Sequence, residues 1–418
     1  QEMNVLITPK KLSGTVAAVP SKSELHRYLI LAYLAGRDPY SCLPGGPVSD
    51  DVLATAEGLA KLRTKNAPVT IDCRGSAASL RFLLPVASAA LPSVTFTGSA
   101  RLAARPVKPL LAALETQGFR FSSRTLPFTV TRDAVPQSPV YTLPGGVSSQ
   151  FVSGLLLASP LTGGVTVRLS SPLASGSYAD MTLSYLRAFG ARAERSAKEA
   201  EPTASSDQTP DETGPTASAE YPVFTVHPPV DLTFPDNLRV GGDWSNAAFF
   251  LAAGVSVTGL DKASIQGDKK ILPLLAEIRG KDNAFLAPFA IDCSDIPDLV
   301  PPLAVTAAAY RKDLTLTHVR RLRGKESDRI ASICDMLTAL GVKASAGDDS
   351  LTIAGSAAPI SGGTVDGWGD HRIVMAAALA ASFASAPVTI LGAEAVDKSY
   401  PSFWEDYRKA GGEFRVLS

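Results

Sequence analysis

Apolar residues recur at helical spacing in six places along the chain, and each stretch runs into a glycine or small residue before a short alternating segment. The stripes begin near Asp50 (Val52, Ala56, Leu59), Arg105 (Val107, Leu110, Leu114), Asp180 (Met181, Leu183, Leu186), Asp268 (Ile271, Leu275, Ile278), Ser327 (Ile330, Ile333, Leu337) and Ser399 (Phe403, Trp404, Tyr407). Copies of one helix-then-strand unit predict an α/β protein, with three copies to each half. A chain of 418 residues also exceeds one ordinary core, so two domains are expected.

The pattern breaks twice. Residues 196–220 are almost wholly Ala, Ser, Thr, Pro, Asp and Glu, which cannot offset the entropy lost on ordering. They are expected to form a disordered insertion in a hairpin, flanked by Ala193 and by the alternation Tyr221, Val223, Val226. Near Phe234 to Gly242, Pro235, Asp236, Asn237 and two glycines interrupt the periodicity ahead of a helix expected from about Ser245.

Charge changes the picture little at the scale of the whole chain. Lys plus Arg and Asp plus Glu both number 40, which removes the broad positive field of a nucleic-acid binder and makes any cationic site local. Cys42, Cys73, Cys293 and Cys334 lie far apart, and the four histidines show no metal-ligand spacing. Reduced, buried thiols in a cytoplasmic protein are expected, with no metal and no cofactor. No apolar run of about 18 residues is present to span a bilayer, and no charged-then-apolar secretion signal opens the chain. Gln1 and Glu2 ahead of Met3 look like a remnant or a trimmed end.

Local cationic chemistry gathers at expected helix starts. Pro20-Ser21-Lys22-Ser23 leads through Arg27 into an apolar helix, and Asp72 to Arg81 passes through small residues into another. Ser148-Ser149-Gln150 precedes the apolar run Phe151 to Ala158, and Asp370-His371-Arg372 precedes Ile373 to Phe383. Arg321-Leu322-Arg323-Gly324-Lys325-Glu326-Ser327-Asp328-Arg329 opens a further helix, with Ser327 as its expected start. Free N–H groups and hydroxyls at a helix start receive anions, although each motif alone also suits an ordinary capped helix. Several on one neutral chain point to a shared, multiply charged small anion.

Ser-Lys-Ser-x-x-x-Arg, Ser-Ser-Gln, Lys-Glu-Ser-Asp-Arg and Asp-His-Arg, in this order, resemble the 5-enolpyruvylshikimate-3-phosphate synthases over nearly the whole chain. The resemblance implies the two-domain enolpyruvyl transferase fold, an inside-out α/β barrel of six βαβαββ repeats. Residues 1–18 would join 239–418, and 19–238 would form the intervening domain. It implies a monomeric enzyme acting on shikimate 3-phosphate and phosphoenolpyruvate, without nucleic acid or membrane. Shikimate 3-phosphate would lie against Ser23, Arg27, Ser148, Ser149, Gln150, Ser175, Tyr178, Asp298 and Lys325. Phosphoenolpyruvate would meet Lys22, the Gly75 to Ala77 loop, Arg101, Gln150, Arg329, Arg372 and Lys398. Asp298 would be the base for the 5-hydroxyl, Glu326 the acid for the methylene carbon, and Lys22 a cation for the departing phosphate. Burial would raise the proton affinity of Glu326 while nearby cations would oppose it.

The chain departs from this family at Gly75, where Asn or Glu is usual, at Ala77, where Gly is usual, and at Arg74 and Arg321. A methyl at position 77 implies weakened inhibition by glyphosate, which is longer than phosphoenolpyruvate. Two other readings stay open: a sister transferase acting on UDP-N-acetylglucosamine through a loop cysteine, and an inactive anion-binding relative.

Overall fold

Each of the six apolar stripes forms a helix, and each helix is followed by a strand. The helices are Asp50–Lys61, Lys108–Glu115, Gly176–Ala188, Ile271–Gly280, Arg329–Ala339 and Phe403–Lys409. The strands that follow them are Val69–Asp72, Arg120–Phe121, Arg192–Ser196, Phe289–Asp292, Ala344–Ala346 and Glu413–Leu417. The computed structural model describes residues 3–63, 68–196, 221–280, 289–355 and 358–417. Apart from Ser196, the insertion expected at 196–220 lies outside the described residues. Its flanks do form a hairpin, with Ala193 opposite Val226.

One sheet order occurs four times. Val69–Asp72 runs parallel to Ser93–Thr97, which pairs antiparallel with Phe128–Thr131, which pairs antiparallel with Arg120–Phe121. The same order holds from Val140–Leu143, from Phe289–Asp292 and from Gly363–Asp366. In the last sheet the third place is taken by Asn4–Thr8, from the start of the chain, between Val388–Leu391 and Glu413–Leu417. A fifth, two-stranded sheet pairs Thr15–Ala17 in parallel with Ser256–Thr258.

Helices occupy the interior. In Ala77–Ala90 every residue except the last is buried, and His371–Ala381 is buried throughout, as apolarity on all sides requires. Strand Val69–Asp72 instead alternates buried and exposed, so its sheet keeps one face in water. Close helix contact needs Gly154 in Ser149–Leu157, where an added Cβ would overlap the Arg81 carbonyl of Ala77–Ala90.

Two hydrophobic cores result. One gathers Val5 to Val16 with Trp244 to Ala410, and the other Leu25 to Val226. The two connections between them run side by side: Ser21 N donates to Gly241 O at 2.8 Å and Asp243 N to Val19 O at 2.8 Å. Glu24 ties them further, accepting from Gly241 N at 2.9 Å and from Gln266 Nε2 at 2.8 Å.

Two expectations change here. The helix after Lys325 starts at Arg329, not Ser327, because Asp328 caps it by accepting from Ala331 N at 3.1 Å while Ser327 Oγ turns away to Asp370. Of the four thiols, Cys73 and Cys293 are buried, but Cys42 and Cys334 are only partly so. Among the described residues no helix is long and apolar enough to cross a membrane.

Candidate active site

Six capped helix starts converge on one space between the two cores. Ser21, Ser76 and Ser148 cap Lys22–Leu34, Ala77–Ala90 and Ser149–Leu157 on one side. Asp243, Asp328 and Asp370 cap Trp244–Ala252, Arg329–Ala339 and His371–Ala381 on the other. Each cap satisfies one free N–H and leaves others of the first turn for a ligand.

The cavity they enclose holds about 320 Å³. Lys22, Ser23, Arg27, Ala77, Ser148, Ser149, Gln150, Ser175, Tyr178, Asp298, Lys325, Glu326, Arg329 and Arg372 all line it. The other expected residues, Gly75, Arg101 and Lys398, line a second cavity. Glu326 and Arg105 border both. In the second cavity Arg101 Nη1 donates to Trp368 O, and Lys398 Nζ to Gly369 O at 2.6 Å. A Cβ on Gly75 would meet only Ser99 Oγ at 3.9 Å and Lys398 Cε at 4.0 Å, so this position leaves the space open.

Lys22 Nζ pairs with Asp51 Oδ2 at 2.8 Å, and its backbone N–H with Asp243 Oδ2 at 3.0 Å. Arg27 is almost wholly buried, and its guanidinium donates to Thr182 Oγ1, Ser153 Oγ and the carbonyls of Ser23 and Tyr178. It shapes the wall by holding these groups together. Arg81 lies one turn into its helix from Ala77, hence on the same face, and donates to Gln150 Oε1 at 2.9 Å and Ser148 Oγ at 3.3 Å. Burial, followed by the nearby Arg105 charge, lowers Arg81 to about 9.

Arg329 is the central cation. Its Nε and Nη2 grip the Asp370 carboxylate at 3.0 and 3.1 Å, Nη1 reaches Asp298 at 3.1 Å, and Nη2 also reaches Glu326 Oε2 at 2.5 Å. Asp298 Oδ1 further meets Arg372 Nε at 3.2 Å and Lys325 Nζ at 3.9 Å. Burial pushes the Asp298 carboxyl up, yet Arg372, Lys325 and Arg329 outweigh it and hold the group well below the usual carboxylate range. Glu326 behaves alike: burial raises it, and Arg105 and Arg329 more than reverse this. Both acids are therefore ionised before any ligand arrives.

Arg81, Arg105, Asp51, Asp243 and His371 also line the main cavity but do not stand among the residues expected from sequence. An arginine within the apolar run Ala77 to Leu84 was one available signal, since a buried charge needs partners.

The family profile described as EPSP synthase (3-phosphoshikimate 1-carboxyvinyltransferase) matches residues 6–213 and 215–407. A 3-phosphoshikimate 1-carboxyvinyltransferase of Clostridium novyi (strain NT) is 33% identical, over 98% of this chain and 98% of its own length. One of Methanocorpusculum labreanum is also 33% identical, over 99% and 100%. Among solved structures, EPSP synthase of Acinetobacter baumannii shares the fold with a TM-score of 0.71 at 23% identity over the full length of both chains. The enolpyruvyl transferase NikO of Streptomyces tendae does so at 0.68 and 17%, covering 100% of this chain and 99% of its own. With a profile and relatives that span nearly all of it, the chain belongs to the EPSP synthase (3-phosphoshikimate 1-carboxyvinyltransferase) family.

Proposed function

We infer that the chain transfers the enolpyruvyl group of phosphoenolpyruvate to the 5-hydroxyl of shikimate 3-phosphate, releasing phosphate through a tetrahedral intermediate in the shikimate pathway. The observation that carries this reading is the convergence of Lys22, Arg81 and Arg105 from one core with Lys325, Arg329 and Arg372 from the other on one cavity. Two substrates with phosphate and carboxylate charges supply matching anions.

The cores act as the two domains, 1–18 with 239–418 and 19–238, and substrates draw them together across the paired connections. Shikimate 3-phosphate takes the wall of Ser23, Ser148, Ser149, Gln150, Ser175 and Tyr178, with Lys325 on its phosphate. Phosphoenolpyruvate lies toward Lys22, Arg329 and Arg372 and reaches the second cavity with Arg101 and Lys398. The enzyme works as a cytoplasmic monomer without metal or cofactor.

In the addition step the 5-oxygen bonds to C2 of phosphoenolpyruvate. Its proton passes to Asp298, while a proton from Glu326 converts the methylene to a methyl group. In the elimination step Glu326 takes a methyl proton back, the double bond re-forms, and phosphate leaves toward Lys22. Asp298 gains basicity as the substrates' anionic groups draw Arg372 and Lys325 away from it.

The direct test is phosphate release when both substrates are mixed with the enzyme; none above a substrate blank would end the proposal. That result would instead favour an inactive anion binder. A UDP-N-acetylglucosamine transferase using cysteine fits less well, because none of the four cysteines lines either cavity.

Burial lowers Lys325 to about 8, against the opposing pull of Asp298. A lysine held below its ordinary value is charged below that point and neutral above it. The KM for shikimate 3-phosphate should therefore rise as pH passes about 8, while a flat profile would exclude Lys325 as its phosphate partner.

Ala77 is buried against the main cavity. We expect Ala77→Gly to lower the glyphosate inhibition constant by about tenfold, which is ~1.4 kcal/mol and lies within the ~1–3 kcal/mol that crowding costs. Equal inhibition of both forms would reject the steric account.

A further inference from the structure

Both oxygens of Glu326 are occupied by cations: Arg329 Nη2 stands at 2.5 Å from Oε2, and Arg105 Nη1 at 3.3 Å from Oε1. Cations on both oxygens hold the carboxylate in its charged form, so taking up the proton that enolpyruvyl transfer requires calls for one of them to withdraw during the cycle. Arg329 cannot be that one. It is 1% exposed and locked to Asp370 and Asp298, and leaving would take the guanidinium from a fully buried carboxylate, Asp370.

Arg105 differs in each respect. It comes from the opposite core, just beyond the short helix Ala100–Ala103. Its Nε is buried without a partner among the described residues. It borders both cavities, and the neighbouring like charge of Arg81 disfavours its present place. The geometry points to Arg105 as the movable partner of Glu326: an incoming phosphoenolpyruvate anion draws it from Oε1 toward the second cavity, and Oε1 then takes a proton from solvent. Only a loaded site thus arms the acid. The other groups facing Glu326 are Lys325, Asp298 and His371 from its own core and Arg81 from the opposite one, and Arg81 is held in place by Gln150 Oε1 at 2.9 Å and Pro106 O at 2.8 Å. This inference rests on the enolpyruvyl-transfer reading and adds a positioning residue to it.

Proton exchange with solvent on binding provides the test. Calorimetry in two buffers of different ionisation enthalpy measures protons taken up when phospholactate, an unreactive saturated analogue, binds the enzyme–shikimate 3-phosphate complex. Wild type should take up to about one proton more than Glu326→Gln, since one carboxyl gains one proton on a favourable shift. Arg105→Gln should lose most of that excess and raise the KM for phosphoenolpyruvate about tenfold, with the KM for shikimate 3-phosphate nearly unchanged. Arg105→Lys, which keeps the charge and so guards against misfolding, should retain part of the excess. Uptake by Arg105→Gln equal to wild type, or no difference between wild type and Glu326→Gln, would overturn the inference. Absence of phosphate release by wild type would instead overturn the function on which it rests.

Discussion

Substituting Glu326→Gln should lower kcat by ~10²–10⁴-fold while both KM values stay within a few-fold of wild type. The amide keeps the size of the side chain but cannot give a proton to the methylene carbon or recover one from the methyl group. Steady-state phosphate release measures this directly. A kcat within a few-fold of wild type would remove Glu326 from the chemistry and leave its cations as a purely structural cluster. Arg329 keeps Asp370 and Asp298 in the variant, so the fold should persist. A melting curve separates the two effects.

Arg329→Met should be the more damaging change to stability. It leaves Asp370, Asp298 and Glu326 without their shared cation, and breaking a buried pair from one side costs about 3–5 kcal/mol. Urea unfolding near neutral pH reports this as a lower midpoint. The pH dependence has a definite sign. Asp298 and Glu326 are held below their unfolded values, so their contribution is present above those values and fades as pH falls through the folded ones. The gap between wild type and variant should narrow in acid. A gap that is constant with pH would mean that lost packing, not lost charge, sets the cost.

The outer helices could be read from sequence because each shows one apolar stripe to a core and polar residues to water. Interior helices such as Ala77–Ala90 and His371–Ala381 have no such contrast. They appear in the sequence only as apolar runs whose starts carry motifs. Sheet order was not legible, since the partner of a strand is chosen by packing between residues far apart in the chain. The Ser-Lys-Ser, Ser-Ser-Gln and Asp-His-Arg groups were legible because helix starts impose local residue preferences. Arg105 was not, because its importance comes from facing Glu326 across the two cores at a sequence separation of 221. The helix start at Arg329 was misplaced by two residues because Ser327 and Asp328 both suit a cap. The bond from Ala331 N to Asp328 and that of Ser327 to Asp370 decide between them.

The strand Asn4–Thr8 lies between Val388–Leu391 and Glu413–Leu417, and this sets an order of events during synthesis. The core of Leu25 to Val226 can assemble as soon as its own residues emerge. Asn4–Thr8, made long before either partner, must wait unpaired until residues 388–417 have been made. For that whole interval its ladder of hydrogen-bonding groups is open to capture by another chain, which places an aggregation hazard in this one strand.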